Sequence, residues 1–119
     1  MLKTHDLRIN NLVIRKGPGG GERSLKGVLE NCIETQNGGI LIEGVGAIPL
    51  VDKIHLVGKY NNIDNSYIIN VNDNVILRVE IVDLEKWNMY INEIYLREIY
   101  YFHELQNVFY FLFGKELLF

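Results

Sequence analysis

The sequence predicts an α+β fold in which an antiparallel β-sheet, built from hairpins and a meander, is packed by one C-terminal amphipathic helix. Three observations predict it: apolar and polar residues alternate over several short segments, turn residues separate those segments, and the pattern changes to a helical period near residue 101. A sheet of this kind can curl into a partial barrel.

The first half of the chain predicts two pairs of strands. LRINNLVIRK, which begins at Leu7, predicts a short strand pair with a turn at Asn10-Asn11. The dipeptide Asn37-Gly38 predicts a tight hairpin, because both residues accept the positive φ angles that such a turn requires. Between them, GPGGGERSLKG predicts a mobile glycine-rich loop at 17–27.

The second half predicts a meander of four strands from Tyr67 to Ile99, followed by a helix over 101–113. Residues 49–60 fit either a helix or a strand, and Pro49 favours a short helix near 50–58. Gly114 stands where a left-handed residue ends many helices. The apolar residues that should face the core are Tyr101, Phe102, Leu105, Val108, Phe109, Leu112 and Phe113.

Composition indicates a folded chain with one domain over 1–119. Of its 119 residues, 48% are hydrophobic and 23% charged, which suffices for a single core. Neither a membrane-length apolar run nor a signal-like N-terminus occurs, and the lone Cys32 fits a reducing compartment. We therefore expect a cytoplasmic protein that does not associate with a membrane.

Charge is distributed unevenly along the chain. Residues 1–27 carry six basic and two acidic side chains, whereas the remainder carries six basic and 13 acidic ones. The basic residues around the glycine loop predict a contact with nucleic acid or with an acidic partner. These residues are Arg15, Lys16, Arg23 and Lys26.

Known catalytic motifs are incomplete. HELQN resembles the zinc-binding His-Glu-x-x-His, but Asn107 replaces the second ligand, so His103 is expected to be a solvated helix residue. Glu22 follows Gly21 where a phosphate-binding loop needs lysine, and no nucleophile-base arrangement can be recognised. We expect no enzymatic activity, metal, cofactor or small-molecule substrate.

The helix side opposite the apolar residues mixes aromatic and polar groups, as protein interfaces do. It predicts a partner-binding face, unless a neighbouring loop or the tail Leu117–Phe119 covers these rings. The candidate residues are Tyr100, His103, Glu104, Asn107, Tyr110 and Phe111.

The C-terminal segment IYLREIYYFHELQNVFYFLFGKEL resembles the end of a family of small uncharacterised proteins encoded in phages and prophages of Bacteroidetes bacteria. The likeness lies in the helix motif His-x-Leu-Gln-Asn and the following Gly-x-Glu-Leu, and LRINNLV and IPL resemble further family segments. The residues that carry it are Tyr101, His103, Leu105, Gln106, Asn107, Gly114, Glu116 and Leu117.

The resemblance implies a phage setting, in which small proteins of this kind often inhibit host defences. It therefore implies a non-enzymatic inhibitor that binds a host defence protein or its RNA complex in an infected bacterium. The expected type is an anti-CRISPR protein, with an RNA-targeting CRISPR nuclease as one target and a weak RNA contact as a secondary feature. The alternative is a nucleic-acid-binding or structural phage protein that uses the basic N-terminal loop.

Overall fold

The computed structural model describes residues 7–8, 10–15, 21–28, 32–35, 38–41, 45–117 and 119. They form antiparallel strands and two α-helices, and the α+β class predicted from the sequence is confirmed. The chain divides into two compact units. Unit 1 comprises Met1–Ile48 and Phe102–Glu116, and unit 2 comprises Pro49–Tyr101 and Leu117–Phe119. The assignment of 1–119 to a single domain stays a prediction.

Unit 1 contains a sheet of five antiparallel strands in the order β4-β3-β2-β1-β5, together with the C-terminal helix α2. The sheet is open in the described part of the chain, with β4 and β5 at its ends. The elements are β1 (Leu12–Arg15), β2 (Gly21–Val28), β3 (Cys32–Thr35), β4 (Gly38–Leu41), β5 (Val45–Gly46) and α2 (Phe102–Phe113).

The predicted hairpin is confirmed, since β3 and β4 pair with Thr35 opposite Gly38. The predicted glycine-rich loop begins in residues outside the described ranges, but its part from 21 to 27 is strand β2. The loop prediction is wrong there, because the strand owes its order to pairing with β1 and β3, which local glycine content does not reveal.

The predicted strand pair within LRINNLVIRK is also wrong. Among the described residues of this segment, only Leu12–Arg15 forms a strand, and its partners are β2 and β5. Asn10 has a positive φ of 75°, and its backbone N–H donates to the carbonyl of Leu25 at 2.8 Å. The Asn10-Asn11 step therefore leads the chain into its pairing with β2.

Unit 2 contains a five-stranded antiparallel meander in the order β10-β9-β8-β7-β6. The predicted four strands and the short helix are confirmed, and one additional strand precedes them. The elements are α1 (Leu50–Lys53) and a 3-10 helix (Ile54–Leu56), then β6 (Lys59–Asn61), β7 (Ser66–Asn72), β8 (Val75–Ile81), β9 (Trp87–Ile91) and β10 (Ile94–Ile99).

One face of this sheet forms the core of unit 2, as the alternation predicts. Its fully buried side chains include Leu77, Val79, Trp87, Met89 and Ile99, and Leu50 and Ile54 of the helical segment are buried as well.

The other face is polar. There the guanidinium of Arg78 forms two hydrogen bonds of 3.0 Å with Glu93 and lies 4.2 Å from the ring centroid of Tyr90. The bond with Glu93 is the main cause that raises the pKa of Arg78.

Candidate interaction site on the C-terminal helix

Helix α2 follows the predicted bounds to within one residue and ends at a left-handed glycine. Gly114 has a φ of 67°, and its N–H donates to the carbonyl of Tyr110 at 2.8 Å, which closes the last turn. At the other end, the N–H of Phe102 donates to the carbonyl of Ile48 at 2.8 Å. Both ends of the helix are therefore held within unit 1.

The buried side of α2 includes polar residues that hold the N-terminal segment. Gln106 is only 2% exposed; its Oε1 accepts the N–H of Leu12 at 2.8 Å, and its Nε2 donates to the carbonyl of Asn10 at 3.3 Å. The amide of Gln106 thus takes the place of a backbone hydrogen-bond partner for residues 10–12, which lead into β1. A buried amide that satisfies both groups in this way stabilises one specific arrangement.

Arg8 also links the N-terminal segment to α2 and to the residues that follow it. Its two terminal nitrogens bind the carboxylate of Glu116 at 2.5 and 3.2 Å, and its Nε donates to Asn107 Oδ1 at 3.2 Å. The same amide oxygen accepts a bond of 2.7 Å from Asn11 Nδ2. We call these residues the polar clamp: Arg8, Asn11, Gln106, Asn107 and Glu116.

The members of the polar clamp contribute unequally to stability. The side chains of Arg8 and Glu116 are 25% and 32% exposed, so this ion pair is screened by water and contributes about 1 kcal/mol or less. Gln106 contributes more, because its loss would leave the N–H of Leu12 buried without an acceptor.

The polar clamp explains what the residues of the motif do in the structure. Gln106, Asn107 and Glu116 come from the segments HELQN and GKEL, and Arg8 and Asn11 come from LRINNLV. Sequence reasoning did not place Arg8, Gln106 or Glu116 in any site. Spacing alone does not connect residues about a hundred positions apart, so the sequence offered no signal for this cluster.

His103 corrects the prediction of a solvated helix residue, because it is only 3% exposed. It lies one helical turn before Gln106, so these two polar residues share the buried side of α2. Leu112, a predicted core position of the helix, is correspondingly 42% exposed, and Tyr101, which precedes the helix and belongs to unit 2, is 43% exposed. A helical wheel predicts the buried side of a helix from its apolar residues. It therefore cannot predict that polar residues are buried because another segment of the chain covers them.

The other residues predicted for the partner-binding face do not form a single exposed surface in unit 1. Tyr100 belongs to unit 2, where its hydroxyl donates to Glu98 at 2.9 Å. Glu104 and Asn107 are half-buried, and the amide oxygen of Asn107 is already used in the polar clamp.

The end of α2 does carry exposed apolar side chains. Phe111 is 89% exposed, and Tyr110 and Leu112 are each 42% exposed. The ring of Tyr110 lies 4.2 Å below the guanidinium of Arg8, so one of the exposed rings is held in place by the polar clamp. We call Tyr110, Phe111 and Leu112 the aromatic end. The alternative prediction, that a neighbouring loop or the tail covers these rings, does not hold for Phe111, whose ring is open to solvent.

The four basic candidates are only partly brought together. Arg15 pairs with Gly21, so Arg15 and Arg23 lie on the same face of the β1–β2 pair. The Arg23 guanidinium donates to the carbonyl of Glu22 at 2.9 Å. Lys26 is exposed beyond a register shift in β2, and Lys16 lies outside the described residues.

Within the described ranges, no group of three or more His, Cys, Asp or Glu side chains is arranged to bind a metal ion, and no helix is long and apolar enough to cross a membrane. Comparisons with known protein families, with curated proteins and with solved structures found no match. The class that fold and site define is thus a small α+β protein with an exposed aromatic helix end.

Proposed function

We propose that this protein is a non-enzymatic inhibitor that binds a host defence protein or nucleoprotein through the aromatic end of α2. The observation that carries the proposal is the exposure of Phe111, which is 89%. Burying a phenylalanine side chain gains about 1.5 to 3 kcal/mol, so a ring held in water is available to stabilise a complex. Exposed aromatic residues are the usual anchors of protein interfaces.

The surroundings of Phe111 favour binding because they are already ordered. Gly114 closes the helix directly after the aromatic end, and Arg8 holds the ring of Tyr110. A surface that is rigid before binding loses less conformational entropy when the complex forms. The aromatic end can therefore act as a preformed anchor.

The resemblance to phage and prophage proteins supports the choice of target. It favours a phage-encoded inhibitor of the anti-CRISPR type, with an RNA-targeting CRISPR nuclease and its guide RNA as the first target to test. Binding of a nuclease complex at the aromatic end would block the enzyme sterically, without any reaction by the inhibitor.

The substitution Phe111→Ser tests the proposal. In an interference assay with a purified RNA-targeting CRISPR nuclease and guide RNA, we expect the variant to inhibit at least about tenfold less, since losing a buried ring costs more than the 1.4 kcal/mol that corresponds to tenfold in affinity. The melting temperature should stay close to that of the wild type, because the ring is exposed.

Ile94→Ser is the matched control, because Ile94 is 68% exposed in the other unit and lies outside the aromatic end. Unchanged inhibition by Phe111→Ser would refute the proposed anchor. Lack of inhibition by the wild-type protein across such nucleases would refute the target class.

The second candidate function is nucleic-acid binding, favoured by the shared face of Arg15 and Arg23. If these residues contact phosphates, bare RNA should bind, and the affinity should fall steeply between two salt concentrations. Arg15→Gln should then reduce both the affinity and the salt dependence. Tight binding of a nuclease together with no binding of bare RNA would exclude this alternative.

A further inference from the structure

Two adjacent turns at one end of the β6–β10 sheet present aliphatic side chains to water. Ile63 in the β6–β7 connection is 91% exposed, and Leu84 in the β8–β9 connection is 83% exposed. Because β7 pairs with β8, these connections lie at the same end of the sheet, and the N–H of Ile81 donates to the carbonyl of Asn65 at 3.0 Å. The two exposed residues therefore lie in neighbouring turns at the same end of the sheet.

The turn that carries Leu84 is held by its own hydrogen bonds. Asp83 Oδ1 accepts the backbone N–H groups of Glu85 and Lys86, each at 2.9 Å. The carbonyl of Lys86 accepts the N–H groups of Val82 and Asp83, each at 3.1 Å. Leu84 is thus fixed at the tip of an ordered turn.

The turn that carries Ile63 is held in a similar way. The backbone N–H of Ile63 donates to Asn61 Oδ1 at 3.0 Å, and the hydroxyl of Tyr60 donates to Asn65 Oδ1 at 2.8 Å. Behind it, the rings of Tyr60 and Tyr67 lie 5.3 Å apart, and Tyr67 lies 6.0 Å from the buried Trp87. Both aliphatic tips are therefore preorganised, which reduces the entropy that binding would cost.

The charge around these tips is negative. Asp64, Asp83 and Glu85 lie in the two turns, next to Ile63 and Leu84 in the chain. Lys86 lies 3.1 Å from Glu98, and Arg78 makes its shortest contacts with Glu93. Arg78 also lies 3.9 Å from Asp64, which accepts the hydroxyl of Ser66 at 2.5 Å. The unbalanced negative charge at the tips therefore comes mainly from Asp83 and Glu85.

We propose that this turn end, defined as Ile63, Asp64, Asp83, Leu84 and Glu85, docks onto a protein segment whose apolar row is flanked by lysine and arginine. The aliphatic tips fit the apolar row, and the carboxylates match the flanking cations. An anionic lipid surface does not fit, because the carboxylates would be repelled. The proposal does not rest on the inhibitor function, since Phe111 lies in unit 1.

The test uses a synthetic amphipathic helix of leucine and lysine as the probe, with a leucine and glutamate peptide of the same pattern as its control. In NMR titrations of the full chain, the lysine probe should shift the Ile63 and Leu84 methyl signals, and the glutamate peptide should not. Leu84→Ser should weaken binding by about tenfold or more, because it removes most of the buried area of one anchor. Ile94→Ser and Phe111→Ser should bind the probe as the wild type does.

Three results would overturn the proposal. Equal binding of the two peptides would show that charge plays no part. Methyl shifts with phosphatidylcholine or phosphatidylglycerol vesicles, in the absence of peptide, would identify a lipid surface as the occupant. Shifts that grow with protein concentration alone would indicate a second copy of the chain. Since the Phe111→Ser variant keeps the turn end intact, failure here is distinct from failure of the proposed inhibitor function.

Discussion

Replacing Gln106 should destabilise unit 1 much more than replacing Phe111, although Phe111 is far more hydrophobic. The reason is position: Gln106 is 2% exposed and bonded to Leu12 and Asn10, whereas Phe111 is 89% exposed. The comparison separates the contribution of a buried polar contact from that of a large apolar side chain in the same helix.

The magnitude follows from the bonds that Gln106→Ala removes. The hydrogen bond to the carbonyl of Asn10 contributes about 1 kcal/mol, and leaving the N–H of Leu12 without its acceptor inside the unit costs about 1 to 3 kcal/mol. We expect a loss of about 2 to 4 kcal/mol in the free energy of unfolding. Phe111→Ala should stay within about 0.5 kcal/mol of the wild type.

Amide hydrogen exchange and far-UV circular dichroism in urea are the suitable assays. The amide of Leu12 should exchange about 30-fold faster or more in Gln106→Ala, as a loss of 2 kcal/mol requires.

Gln106→Met is the matched variant, because it keeps the length of the side chain without its polar groups. We expect it to remain destabilised, since the N–H of Leu12 still lacks an acceptor. Full stability in Gln106→Met, or equal losses in Gln106→Ala and Phe111→Ala, would refute the reasoning.

Two further predictions concern the helix end and the surface carboxylates. Gly114→Ala should cost about 1 kcal/mol in urea unfolding, because its φ of 67° is strained for alanine although the space for a methyl group is open, and Gly114→Asn should cost less; equal stability of all three would contradict this. Hydrogen bonds from Lys86 and then from Tyr100 hold the pKa of Glu98 below its ordinary value. That stabilisation is present above the unfolded pKa and is lost as pH falls through the lower folded one. Glu98→Gln should therefore lower the melting temperature slightly near neutral pH, and this effect should disappear once the pH falls below the lowered pKa of Glu98. Lys86→Met should raise the pKa of Glu98 in an NMR titration, and an unchanged pKa would refute the assigned cause.

Local periodicity predicted those elements whose signals lie within a few residues. Helix α2 was placed to within one residue, because its apolar spacing and Gly114 are both local features. The meander was predicted for the same reason, since the alternation around Leu77 and Val79 matches their burial on one face. The same pattern placed Phe111 outside the apolar arc, but it left open whether a neighbouring loop or the tail covers the ring.

The polar side of α2 could not be predicted in this way. Gln106 is buried because its amide serves the backbone of residues 94 and 96 positions earlier in the chain, and neither partner is visible in the helix pattern. His103 was expected in solvent for the same reason. The β1–β2 pairing, which orders most of a glycine-rich segment, likewise depends on a partner outside the segment.

The amino-acid sequence by itself determined helix α2, the strands between Tyr67 and Ile99 and the position of Phe111 outside the apolar arc of its helix, because these properties depend on neighbours one or two turns away. Only the tertiary structure decided that the helix is anchored by buried amides and that Ile63 and Leu84 share one end of a sheet. Hydrogen-bond partners and adjacent turns are brought together by strand pairing, which no single segment encodes.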